Sequence, residues 1–254
     1  MTLNNSSGPS SENLFTDIWK IVSACLIIAS VIVLAVAASM LALPFFFSPE
    51  VMEQIEKGQL LPEAVWTSLL IFQVAASIMI LALVRFASPD TVSFTFALCW
   101  PCISRGGIVA MIVFIFTVQI LVSLLTFALF PTEVQQDLGF FRQYIKESPI
   151  LLSFLALAIG APVSEELLFR GYLMNRLSQT RLGFSGATIV ATTGWTLLHA
   201  GYSTVGLIEV FLAGLLFSWA LWKTSSLWVP IFLHAFYNSI VFAYIIHTQS
   251  SSVV

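Results

Sequence analysis

The chain has 254 residues, of which 58% are hydrophobic and 9% charged, with a mean hydropathy of +0.96 and a formal net charge of -3. An ordinary soluble domain is roughly 25% charged, so this composition excludes one and reads as a single polytopic membrane domain with lipid as its surroundings. A slightly acidic balance without runs of like charge also excludes a nucleic-acid partner.

Residues 1–17, MTLNNSSGPSSENLFTD, are polar, lack Lys and Arg, and precede an apolar stretch too long for a cleaved signal peptide. They are expected to be a disordered leader before a retained span. Apolar windows able to cross a bilayer follow at 18–43, 65–86, 107–130, 149–174, 183–200, 205–223 and 227–247. The predicted fold class is all-α, a transmembrane bundle of about seven helices.

The breaks carry turn punctuation: SPEVMEQIEKGQLLPE after the first window, SPD and SRGG around the second gap, PTEVQQDLGFFRQYIKESP before the fourth, and KTSS before the last. Cys99 and Cys102 in CWPC have C-x-x-C spacing with no second pair or nearby histidine and read as two small interfacial residues near a proline turn, while Cys25 lies inside an apolar run. Lys20, Arg85, Arg105, Arg176, Arg181 and Lys223 fall on one side of this topology and Lys57, Arg142 and Lys146 on the other. The positive-inside rule then gives a cytoplasmic N-terminus, with the cell membrane as the expected location. The chain has no internal repeat, and its intramembrane polar residues lie almost entirely between 165 and 238, which counts against an inverted-repeat transporter.

The fourth window ends in APVSEELLFRGYLMNR, which carries Glu165, Glu166 and Arg170. A charge at the centre of an inserted helix costs about 2.5–3.5 kcal/mol, and each Leu, Ile, Phe or Val returns only about 0.3–0.6. Three charges therefore roughly cancel the span's apolar residues unless they pair or face a cavity. Glu166 and Arg170 are four apart, share a helix face and suit an ion pair, whereas Glu165 projects about 100° away and is left for general-base work. Pro162 cannot donate to the carbonyl of Ala158 and is expected to kink the helix, and Gly160 permits bending or close packing.

Two more polar intrusions follow. His199 ends GWTLLH in the fifth window on the face that carries Trp195, and His234 and Asn238 share a face in LHAFYNS in the last. Each alone also suits helix–helix hydrogen bonding. Together they form the inventory of a hydrolase: a carboxylate and a histidine to deprotonate water, a histidine and an amide to donate to an oxyanion. Ser164 adjoins the glutamates but points away from them, so no covalent nucleophile is apparent.

These residues resemble the three signatures of the CPBP family of intramembrane proteases, which includes the type II CAAX prenyl endopeptidases and bacterial Abi proteins. E-E-x-x-x-R matches as Glu165, Glu166 and Arg170, and H-x-x-x-N as His234 and Asn238. The family's F-x-x-x-H reads here as Trp195-Thr-Leu-Leu-His199, with a larger aromatic. The resemblance covers about 165–238. It implies a conical cavity open to one membrane face, with Glu165 and His199 activating water, His234 and Asn238 as oxyanion hole, and Glu166 and Arg170 in support.

Residues 149–247 are then the expected catalytic core, 18–148 helices outside the motif region, and 248–254 a tail. The expected substrate is a membrane-anchored or amphipathic peptide or protein. Glu165, His199 and His234 could also supply a His₂Glu zinc site. The compact H-E-x-x-H pattern is lacking, so a metal-free reaction is expected, with zinc as the alternative cofactor. Two other readings use the same residues: a non-catalytic immunity factor or scaffold, and a proton-coupled or metal transporter.

Overall fold

The computed structural model describes residues 11–87 and 100–250, and among these the chain folds into nine helices with no strand. The helices are α1 Ser11–Ala42, α2 Pro49–Glu56, α3 Pro62–Ala87, α4 Arg105–Leu129 and α5 Pro131–Lys146. The long α6 occupies Ile150–Ser178 and is followed by α7 Gly183–Leu197, α8 Thr204–Thr224 and α9 Trp228–Ser250. Each of the seven apolar windows is helical. Six of the helices, α1, α3, α4, α6, α8 and α9, are long and apolar enough to cross a membrane. The exception is α7, whose 15 residues extend about 22 Å against a hydrocarbon core of about 30 Å.

Several expectations need correction. The leader expected over 1–17 gives way at Ser11 to α1, and residues 1–10 lie outside the described residues. The segments taken as breaks after the first window and before the fourth contain α2 and α5, each opened by a proline in its first turn, where the missing N–H breaks no helical bond. Residues of the first half also carry buried polar groups: Gln73 on α3 and Gln119 on α4 are 2% and 4% exposed. Cys99 of the C-x-x-C pair, the SPD turn and residues 251–254 of the expected tail lie outside the described residues.

The helices alternate between two ends of the bundle. At one end the start of α1 meets the α6–α7 turn, where Arg181 pairs with Asp17 at 3.3 Å, and the Cys102 N–H bonds to the Thr224 carbonyl at 3.0 Å. At the other end Asp137 of α5 accepts from the N–H and hydroxyl of Ser203 at 2.7 and 2.8 Å, and Ser203 in turn caps α8 through the Gly206 N–H. The short α7 thus connects the two ends, with its last turn leading directly into the Ser203 cap.

Packing follows small-residue stripes. On α1 the buried residues Ala24, Ile28, Val31 and Ala35 recur at helical spacing and meet Ala76, Ile80 and Val84 of α3. The opposite face of α1 exposes Leu26, Val33, Leu34 and Leu41, as a helix bathed in lipid should. A second cluster of Trp66, Tyr144, Ile145, Phe242 and Ile245 ties α3, α5 and α9 together, with the Trp66 indole N–H bonded to the Tyr144 carbonyl at 3.1 Å.

At the centre lies α6, which packs against α1, α3, α7 and α9. Residues 166–174, Glu166 and Arg170 included, are all buried. Two stretches, 155–160 and 166–174, are wound as π-helix, a local widening common at functional sites. The expected bend at Pro162 is met by the first of these: the Ala161 N–H reaches back five residues to Ala156, and α6 continues through the proline. Gly160 allows α3 to approach, since a Cβ there would strike the Gln73 amide and come within 3.2 Å of Leu70.

Candidate intramembrane active site

Five of the six residues singled out from sequence lie on α6 and α9, and His199 lies in the turn that follows α7. Glu166 Oε1 accepts from Arg170 Nη1 at 3.0 Å, the ion pair expected from their spacing, and both side chains are fully buried. Arg170 Nη2 donates to the Gly214 carbonyl of α8 at 3.3 Å, and its guanidinium lies 4.3 Å from the Trp195 ring centroid. A buried guanidinium is tolerable only with such compensation, here a carboxylate, a carbonyl and a π-face. Gly214 is needed for this approach: a Cβ would lie 2.6 Å from Thr192 Cγ2 and 2.8 Å from Arg170 Nη2.

Glu165 stands apart from Arg170 and retains 19% exposure of its side chain. It is nonetheless held, because the Trp195 indole N–H donates to Glu165 Oε2 at 2.5 Å. His234 reaches both carboxylates: Nδ1 donates to Glu166 Oε1 at 3.1 Å, and Nε2 lies 3.9 Å from Glu165 Oε2. Its ring stacks on Phe217 with centroids 5.1 Å apart. One imidazole is therefore bonded to Glu166 and lies close to Glu165, a link that helical spacing alone did not disclose.

His199 bonds through Nδ1 to the Trp195 carbonyl one turn back at 3.1 Å. A carbonyl can only accept, so Nδ1 carries the proton and, in the neutral ring, Nε2 carries the lone pair. Asn238 donates through Nδ2 to the Leu157 carbonyl of α6 at 2.9 Å. That carbonyl lacks a helical donor, because the Ala161 N–H is bonded to Ala156 and residue 162 is proline.

Among the described residues, no three His, Cys, Asp or Glu side chains are grouped as metal ligands. Of the side chains named for a His₂Glu site, Glu165 is bonded to the Trp195 indole, and His199 and His234 are each bonded through Nδ1.

Trp195 is the residue whose part the sequence least suggests. Its ring contacts both histidines, with centroids 5.2 Å from His199 and 5.4 Å from His234. A second polar cluster lies beyond α9: Glu209 of α8 accepts from Ser123 and Thr126 of α4, and the Tyr237 hydroxyl lies 2.8 Å from Ser123 Oγ. The signal for it was a lone carboxylate in an apolar window; its partners lie some eighty residues upstream.

Comparison with known proteins adds a likeness over part of the chain. Residues 147–240 match the family model described as type II CAAX prenyl endopeptidase Rce1-like. This segment, which holds the six motif residues in order, is similar to that family, and the family is one of proteases. With six helices able to span a bilayer, the protein is an integral, multi-pass membrane protein. No curated protein and no solved structure matches the chain.

Proposed function

We propose that the protein is an intramembrane endopeptidase in which Glu165 and His199 activate a water molecule and His234 and Asn238 hold the oxyanion. The observation that carries this reading is Glu165, a partly exposed carboxylate that the buried arginine leaves unpaired, beside a histidine bonded to its neighbouring glutamate. In the reaction, water loses a proton to Glu165, with the Nε2 lone pair of His199 assisting, while its oxygen bonds to the scissile carbonyl carbon. The carbonyl oxygen becomes an oxyanion. Asn238 has a second amide N–H to offer it, and His234 can donate from Nε2 when doubly protonated, since its Nδ1 proton is directed to Glu166. Collapse breaks the C–N bond as the proton passes to the leaving nitrogen. Glu166 and Arg170 keep the site's charges balanced and fixed.

The reading is metal-free, and its substrate is a membrane-anchored or amphipathic peptide. The N-terminus is cytoplasmic and the membrane is the cell membrane; the clustering of Lys20, Arg85, Arg105, Arg176, Arg181 and Lys223 toward one end supports that orientation.

The test uses the purified full chain in nanodiscs with a fluorogenic peptide ending in a CAAX box, offered both farnesylated and unmodified. Cleavage of either form that survives exhaustive chelation and is lost in Glu165→Gln is expected. Unchanged cleavage by Glu165→Gln would sink the glutamate mechanism, and loss on chelation restored by zinc would sink the metal-free one. If neither peptide is cleaved while a biological phenotype survives Glu165→Gln, the binding-scaffold reading takes its place.

A further inference from the structure

We infer that Trp195 is a positioning residue for the water-activating pair, acting through its indole N–H and its carbonyl at once. The inference rests on the proposed function, since it concerns the same carboxylate and histidine. Its origin is a departure in the chain itself: where the related motif has phenylalanine, which has no polar atom, this protein has tryptophan, which donates from its indole nitrogen.

The two groups expected to share a water are not bonded to each other. Each is bonded to Trp195. The indole Nε1–H reaches across from α7 to Glu165 Oε2 on α6 at 2.5 Å, and the backbone carbonyl of the same residue accepts from His199 Nδ1 at 3.1 Å. The first bond fixes which carboxylate oxygen is engaged and leaves Oε1 for a water. The second fixes the histidine tautomer, so that the lone pair sits on Nε2. One residue thereby sets the rotamer of the carboxylate and the polarity of the imidazole.

The indole is in turn prevented from rotating. Trp195 is 3% exposed, and its ring has the Arg170 guanidinium over one face, at 4.3 Å, with Phe217, His199 and His234 around it. Close contact with Gly214 completes the slot, where a Cβ would stand 3.0 Å from the indole. A ring packed this firmly offers its N–H in a single direction. A phenylalanine would fill most of the slot and leave Glu165 without that donor. Its backbone carbonyl would still serve His199, so the substitution separates the two functions.

The experiment compares wild type, Trp195→Phe, Glu165→Gln and a variant with benzothienylalanine at 195, a near-isostere of tryptophan that lacks the N–H. Two readouts are taken on the full chain in nanodiscs. The first is the indole ¹⁵N–¹H resonance assigned by its loss in Trp195→Phe, which reports the hydrogen bond without any turnover. Glu165→Gln is expected to move it. The second is cleavage of the fluorogenic peptides. Loss of a hydrogen bond to a charged group predicts a fall in kcat of roughly 10- to 100-fold for both 195 variants, with KM changed less than about threefold.

An indole resonance that ignores Glu165→Gln overturns the inference whatever the activities. So does full kcat in the isostere, because packing is then all that the ring supplies. If Glu165→Gln is dead while Trp195→Phe matches wild type, the inference fails and the proposed function stands. If Glu165→Gln cleaves normally, the proposed function fails, and a role for Trp195 in the reaction falls with it.

Discussion

Asn238 and Pro162 meet at a single atom, the carbonyl oxygen of Leu157. The proline has no N–H to give it, the π-wound turn before the proline sends the Ala161 N–H elsewhere, and the Asn238 amide crosses from α9 to fill the gap at 2.9 Å. The residue expected to bend the helix thus acts by opening an acceptor that holds a site residue in place. Pro162→Ala returns an N–H to this turn and is expected to leave thermal stability equal or higher while lowering kcat about tenfold, the size of one net hydrogen bond. Unchanged kcat would show that the amide needs no such tether.

Truncating Asn238 acts on the other end of the same bond. Asn238→Ala leaves the Leu157 carbonyl without a donor in a low-dielectric surrounding, a loss of about 1–3 kcal/mol. Both Tm in detergent micelles and peptide cleavage should fall. A loss of cleavage at unchanged Tm would remove the structural half of this assignment.

The two glutamates should separate cleanly by stability. Glu166→Gln and Arg170→Leu each leave an uncompensated charge or a stranded carboxylate in the fully buried pair, and are expected to lower stability by about 3–5 kcal/mol. Glu165→Gln keeps an acceptor for the indole and should melt close to wild type. Thermal unfolding followed by tryptophan fluorescence decides between them, and equal Tm losses in all three would contradict the division.

Gly214→Ala is the smallest change expected to disturb the site from α8. The added methyl would lie 2.8 Å from Arg170 Nη2 and 3.0 Å from the Trp195 ring, so the guanidinium must move or the helices part. Overpacking of this kind costs about 1–3 kcal/mol. Cleavage should fall with it, and a variant as stable and active as wild type would mean the slot is looser than its geometry.

The cluster around Glu209 predicts the opposite pattern. Glu209→Ala strands the Ser123 and Thr126 hydroxyls between α4 and α8, and Tm is expected to fall by the equivalent of about 1–3 kcal/mol. Cleavage by the folded fraction should stay within about twofold, because Glu209 is bonded to Ser123 and Thr126 and to none of the six motif residues.

Much of the fold could be read from the sequence because lipid imposes a length on every span, and windows such as 107–130 answer to that constraint alone. The helices α2 and α5 were hidden by the same criterion: α5 spaces Val134, Leu138, Phe141 and Ile145 along one face, but its mean hydropathy is that of a surface helix. Glu166 and Arg170 were legible as a pair because both sit on one helix. Trp195 and Gly214 were not, since their parts depend on how closely α7 and α8 approach α6, a distance no spacing rule encodes. His234 shares a face with Asn238 in the sequence, but its bond to Glu166 joins α9 to α6 and lies outside any spacing rule.

The central helix also carries a consequence for how the protein is made. When α6 leaves the ribosome, Glu166 and Arg170 have each other, four residues apart on one segment, and nothing else. The Trp195 ring, the Gly214 carbonyl and the His234 imidazole are all encoded later, the last of them 68 residues beyond Glu166. Until these groups emerge, this span holds charges in lipid that lack their later partners. Compensation of the buried pair is therefore completed in stages, by groups from α7, α8 and α9 in turn, so that the fourth crossing settles only as its later neighbours arrive.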